Sequence, residues 1–265
     1  MKKLFKKLSV VCSFLLVLSC ADDEVSKEAK EIGIDAHNEK AFSGTFDNGV
    51  MPVSYEVSAP EELIFNVGLT INSKELKVAI DYEQENITFQ TNGAVLTKEE
   101  KGALLDTGAS IADFILKSEE GKISMLEYAL LSSIQYLSNA PQGYAHANRT
   151  VEGPGDTSGI TSRDEGITCI RKGTYVNAQY DDSRGSHSDR VKVGSSGSGY
   201  KCIGRCGVEC GRWWIPSAWT KDCLDHDQCS LKNNSTSGPL DRNCGDEYTE
   251  AADDYLFGVV RGCSG

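Results

Sequence analysis

The stretch Lys201-Cys202-Ile203-Gly204-Arg205-Cys206-Gly207-Val208-Glu209-Cys210-Gly211 is followed, after a short gap, by Trp219-Thr220-Lys221-Asp222-Cys223-Leu224-Asp225-His226-Asp227-Gln228-Cys229. Together these runs hold five of the chain's ten cysteines. Thr220 suits an N-cap, and Lys221 to Leu231 reads as a helix entered through acidic residues, as its dipole prefers. On that helix Cys223 and Cys229 stand roughly 240° apart, so they tie it on two sides. His226, the only histidine after position 187, lies between the ties on a rigid element, as a catalytic group should. Asp222 and Asp225 read as solvated helix acids.

Working outward, the remaining cysteines are unevenly spread. Cys12 and Cys20 stand at the front, none follows until Cys169, and eight fall between there and Cys263. Lys2, Lys3, Lys6 and Lys7 precede a nearly apolar run from Leu8 to Leu18, which reads as a secretory signal over residues 1–19. Val17-Leu18-Ser19-Cys20 resembles a bacterial lipobox, which makes Cys20 a lipidation site. This places the protein at the bacterial cell envelope, on the outer membrane or cell surface, or otherwise secreted. Removing the four lysines leaves 23 basic against 39 acidic residues, a balance of −16. So acidic a chain, without a basic stripe, excludes nucleic acid as a partner. An oxidising destination makes the late cysteines disulfide material. Cys206-x3-Cys210 with Cys223-x5-Cys229 could imitate a zinc site, but structural zinc favours two to four residues within each cysteine pair.

The fold class expected is α+β, in two parts. Residues 20–40 read as a charged tether. Residues 41–140 read as a strand-then-helix module: short β-branched runs over 62–71, 76–82 and 86–90, then the turn Asn92-Gly93. Thr97 and Glu100 make a capping box, and Leu104, Gly108, Ile111 and Ile115 share one helical stripe. A second helix is expected over Lys122 to Leu137. Asp106-Thr107-Gly108 imitates the aspartic-protease signature, but that chemistry needs paired carboxylates, and Asp106 falls inside the helical pattern. Residues 141–165 read as a linker and 166–265 as a disulfide-rich module. In that module a strand pair is expected over Ile167 to Tyr180, with His187 in an exposed loop.

In residues 200–265 the motifs resemble the secreted phospholipases A2. The resemblance rests on Cys206-Gly207 within a loop, on Cys223-x-x-His226-Asp227-x-Cys229 twenty residues on, and on Asn243-Cys244-Gly245-Asp246 at a second helix. It implies a small module of antiparallel helices with a β-hairpin, closed by Cys206–Cys223 and Cys229–Cys244. Cys169, Cys202, Cys210 and Cys263 would pair among themselves in an order left open. It also implies Ca²⁺-dependent hydrolysis of a phospholipid acyl ester, with a phospholipid membrane or micelle as substrate and no obligate protein partner. His226 would take a proton from water, oriented by Asp246, with Asp241 a competitor for that role. Ca²⁺ would be held by Asp227 and by the backbone carbonyls of Arg205, Gly207 and Glu209. These residue types suit ester hydrolysis, since imidazole is a base near neutral pH and carboxylate and carbonyl oxygens suit a hard cation.

The pattern also departs from the family. Glu209 and Cys210 stand where the family loop carries glycines, and Ser230 where it often has a tyrosine. The competing reading is therefore a catalytically silent binding module on the same scaffold. Trp213, Trp214 and Trp219 crowd between loop and helix, either as a lip for a lipid surface or as filling for the small core.

Overall fold

The computed structural model describes residues 32–118, 121–140, 142–151, 166–195, 201–207, 213–234 and 244–264. Cys20, Glu209, Cys210 and Asp241 lie outside these, as does the signal segment.

Alternating apolar residues build a six-stranded antiparallel meander: β1 (Ile32–Asn38), β2 (Ala41–Asp47), β3 (Pro52–Glu61), β4 (Ile64–Ile71), β5 (Lys74–Asp81) and β6 (Asn86–Gln90). β4 and β5 join through Asn72-Ser73, both at positive φ (47° and 62°), as a two-residue hairpin turn requires. After β6 come β7 (Ala94–Val95), helices α1 (Lys98–Lys117) and α2 (Met125–Asn139), then β8 (Ala145–His146) and β9 (Arg149–Val151). β8 pairs with β7, and β9 adds a seventh strand beside β6. The strands thus start earlier and end later than expected: β1 falls within the stretch read as tether, and β8 and β9 within the stretch read as linker.

One face of the sheet buries Phe42, Tyr55, Leu69, Val78 and Ile87 against the two helices. α1 starts at the expected capping box, in which Thr97 accepts from the Glu100 N–H and the Glu100 carboxylate from the Thr97 N–H. Glu100 also holds Lys74 of β5 at 2.6 Å. Asp106 sits inside α1, where its carboxylate accepts from the Asn48 amide (3.3 Å). α2 begins later than expected because Ser124 and Glu127 form a second capping box. From Leu126 to Asn139 it is buried all round, the mark of an interior helix.

The reason lies in the last hundred residues. Trp214, Ile215, Tyr248, Leu256 and Phe257 belong to the same core as the sheet and α2. The phenyl ring of Phe257 meets Tyr82 edge-on at 5.4 Å, and the Arg261 guanidinium pairs with Glu85. Trp214 lies over Gly108 of α1, where a Cβ would approach the indole to 2.7 Å. The two modules are packed together.

The second module consists of a hairpin, β10 (Tyr175–Asp182) with β11 (Gly185–Lys192), and helices α3 (Lys221–Asn233), α4 (Gly245–Glu250) and α5 (Ala252–Phe257). The hairpin turns at Ser183-Arg184, beyond the stretch Ile167 to Tyr180 expected to hold both strands, and His187 lies on a strand. There it bonds Asp182 (2.8 Å) and stacks on Tyr180, which corrects its reading as a loop residue. Cys169 sits in an isolated bridge to Thr220. Disulfides join Cys206 to Cys223, Cys229 to Cys244 and Cys169 to Cys263, and Cys202 is disulfide-bonded as well. Among the described residues no helix is long and apolar enough to cross a membrane.

Candidate functional site

The entry to α3 is clamped on both sides by backbone. Ile170 donates to the Trp219 carbonyl and Lys221 to Thr168, while Cys206 donates to Ala218 and Thr220 to Gly204. Thr220 is the N-cap residue, yet its hydroxyl lies against Cys206 Sγ and makes no capping bond. The backbone clamp and the Cys206–Cys223 bridge hold the helix start instead.

α3 buries polar side chains on two faces. Toward the hairpin, Asp225 accepts the Gln179 N–H (2.9 Å) and pairs with Lys221 at 2.5 Å, and Gln228 donates to Asp189. Toward α5, the Asp222 N–H donates to Asp254. Asp222 and Asp225 are 4% and 5% exposed, so neither is the solvated acid expected. The reason is tertiary: the hairpin brings the Gln179 N–H to Asp225 beside the Lys221 ammonium, and α5 packs Asp253 and Asp254 against Asp222. Asp222, Asp253 and Asp254 bring carboxylate oxygens within 4.8 Å of one another, a grouping that could hold a metal ion.

His226 and Asp227 are half-buried on the remaining arc of the helix. The Asp227 carboxylate accepts the N–H of Gly204 at 2.8 Å, so it faces the segment that leads into Arg205, Cys206 and Gly207. Burial pushes its pKa up to about 8, against the opposing pull of that N–H. Gly207 adopts φ +109°, a conformation that favours glycine, and its N–H donates to the Tyr255 hydroxyl (3.0 Å). Arg205 is fixed by a bond from Nε to Ser217 (2.6 Å) and lies over the Trp219 ring.

The ring beside His226 is that of Tyr248, edge-on at 5.7 Å. Asp246 is exposed on the first turn of α4, whereas Glu247 next to it is buried and accepts the Asp181 N–H (2.8 Å). Burial, with the neighbouring Asp246 charge, holds the Glu247 carboxyl well above the usual range. Of the tryptophans, Trp214 (2% exposed) and Trp219 (6%) fill core, and Trp213 (72%) projects outward.

Three residues near the site were not read from the sequence. Tyr248 and Tyr255, seven apart, follow Cys244 as a helical stripe would, and that spacing was the available signal. Asn139 ends α2 beside the Tyr255 hydroxyl, buried to 8% exposure, and its amide makes no hydrogen bond of ordinary geometry. No sequence pattern points to it.

Residues 165–265 match the family model of a domain of unknown function, DUF8213. No curated protein and no solved structure matches the chain.

Proposed function

We propose that the protein hydrolyses an acyl ester of a phospholipid in a Ca²⁺-dependent reaction. His226 acts as general base toward water, and the module works outside the bacterial cell, tethered through Cys20. The observation that carries this reading is the placement of α3. Its start is stapled to the Cys202–Gly207 segment, so that Asp227 faces that segment and His226 stands one residue away on the same helix.

The residues fit a hard cation. Asp227 offers a carboxylate whose pKa is raised by burial, so a cation beside it would favour its charged form. With Asp227, the backbone carbonyls of Arg205, Gly207 and Glu209 would hold Ca²⁺. When bound, the ion supplies fixed positive charge for the oxyanion that develops on the ester carbonyl. The imidazole of His226 removes a proton from water as the oxygen attacks that carbonyl, then returns it to the leaving alkoxide. Tyr248 limits the ring's freedom on one side. Exposed Trp213 offers an apolar side chain to a lipid surface.

Asp246 is exposed on α4, so the proposal is carried by His226 and Asp227. That same exposure favours the second reading, a silent module that binds lipid or protein. Fatty-acid release from mixed phospholipid vesicles separates the two. The wild type should release fatty acid with Ca²⁺ and not with a chelator, and His226→Gln should lower the rate at least about 100-fold. Release that ignores Ca²⁺ and His226, or none at all, sinks the enzyme reading.

A further inference from the structure

Both halves of the proposed site lean on tyrosines, and both tyrosines lean on one helix of the other module. Tyr248, which meets His226 edge-on, stacks flat on Tyr136 of α2, with centroids 5.1 Å apart and planes within 7°. Its hydroxyl donates to the Tyr136 carbonyl. Tyr255, which receives the Gly207 N–H, sets its edge against the same Tyr136 ring at 5.5 Å and 72°. Burial, and then the nearby Asp227 carboxylate, raise the pKa of its hydroxyl. Tyr136 is itself pinned from the sheet. One Arg149 nitrogen donates to its hydroxyl and the other to the Thr249 carbonyl of α4 (3.1 Å). One side chain of α2 thus touches the support of the base and the support of the loop.

We propose that Tyr136 is a positioning residue of the site: it fixes His226 through Tyr248 and the Gly207 loop through Tyr255, so the site is complete only while the two modules are docked. This rests on the hydrolase reading for its kinetic consequence, but not for its geometry. Aromatic faces and edges pack in defined orientations, so a ring held on two sides transmits its position to both neighbours. A misplacement of about 1 Å at a catalytic group can cost on the order of 100-fold in rate.

The decisive experiment uses the full-length protein, with Tyr136→Leu, Tyr136→Phe and Arg149→Met, each checked for native fold by near-UV circular dichroism. Two readouts are taken: the His226 ring-proton resonances, resolvable among only four histidines, and vesicle hydrolysis. Tyr136→Leu should move the His226 resonances and lower kcat about 10- to 100-fold, with KM within about twofold. Tyr136→Phe, which keeps the ring but loses the bond from Arg149, should keep kcat within about twofold of the wild type and move the His226 resonances by less than the leucine variant, as Arg149→Met does. If the leucine variant does not fold, Arg149→Met takes its place, since it frees the Tyr136 hydroxyl while keeping the rings. It should move the His226 resonances in the same direction by less. A folded Tyr136→Leu, or in its place Arg149→Met, with wild-type resonances overturns the proposal. Resonances that respond in a protein without hydrolytic activity would uphold the positioning and sink the hydrolase reading.

Discussion

Helices α2 and α3 are of similar length, 15 and 13 residues, and both are largely buried, yet different forces hold them. Around α2 the contacts are apolar: Leu130, Leu131, Ile134 and Leu137 are fully enclosed between the sheet, α1 and the second module. α3 carries Lys221, Asp222, Asp225, His226, Asp227 and Gln228, and Leu224 is its main buried apolar residue. Burial of so polar a helix cannot be driven by the hydrophobic effect. Two disulfides, a buried ion pair and carboxylates set on backbone N–H groups take that place. The difference teaches how the chain divides its labour. An apolar helix can be held by packing but has no group to spare for chemistry. A helix rich in functional groups must be stapled, and its module draws core from the apolar helix beside it.

The largest expected effect breaks the comparison outright. Reducing the protein should unfold α3 and the hairpin, while the sheet, α1 and α2, which contain no cysteine, stay folded. By loop-closure entropy the Cys206–Cys223 and Cys229–Cys244 bridges each contribute about 3 kcal/mol, and Cys169–Cys263, closing a far longer loop, somewhat more. Denaturant unfolding with and without reductant should resolve two transitions in place of one. Simultaneous loss of the sheet signal would show that the first module depends on the second as well.

Acid should act on the other side of the comparison. His146 of β8 is buried, and its pKa is lowered to about 4, from 6.5, by burial and then by the Lys101 and Arg149 charges. The folded state therefore prefers the neutral ring. Its contribution is fully present above pH 6.5 and is lost as the pH falls through 4, because the unfolded chain takes up the proton first. The span amounts to about 3 kcal/mol. Urea midpoints at pH 7 and pH 4.5 should differ more for the wild type than for His146→Gln. Equal differences would remove His146 as the cause.

The smallest effect sharpens the joint between modules. In Gly108→Ala the new methyl meets the buried Trp214 ring, so a helix-propensity gain of about 1 kcal/mol is outweighed by overpacking of about 1–3 kcal/mol. Gly102→Ala, on the same helix in open space, should instead raise the melting temperature. Two shifts of the same sign would show that Trp214 does not press on Gly108.

How much of the fold and site is legible from residues alone follows the same division. The meander from β4 to β6 and the Thr97 cap are legible because period-two alternation and a capping box are local signals. β1 carries the same alternation at Ile32, Ile34 and Ala36, but the acidic run before it makes the whole stretch read as tether. The hairpin is displaced because much of β10 and β11 is polar and solvent-facing, which removes the alternation that marks a strand. Around the site, the His226-Asp227 placement and two bridges are expected from the resemblance to secreted phospholipases A2. Asp222 and Asp225 are misread because their charge suggests solvent, and only tertiary packing brings the hairpin against Asp225 and α5 against Asp222. The contribution of Tyr136 and Asn139 is invisible, since nothing local in α2 announces a neighbour about a hundred residues away.

The hydrolase reading stands or falls on Asp227, facing the Cys202–Gly207 segment, as the ligand of the cation that makes His226 useful. A rival set of oxygens lies nearby at Asp222, Asp253 and Asp254. Calorimetric titration of Ca²⁺ into the full-length protein decides between them. The predicted result is saturable binding that is lost in Asp227→Asn and kept in Asp254→Asn. Binding that survives Asp227→Asn and vanishes in Asp254→Asn would contradict it.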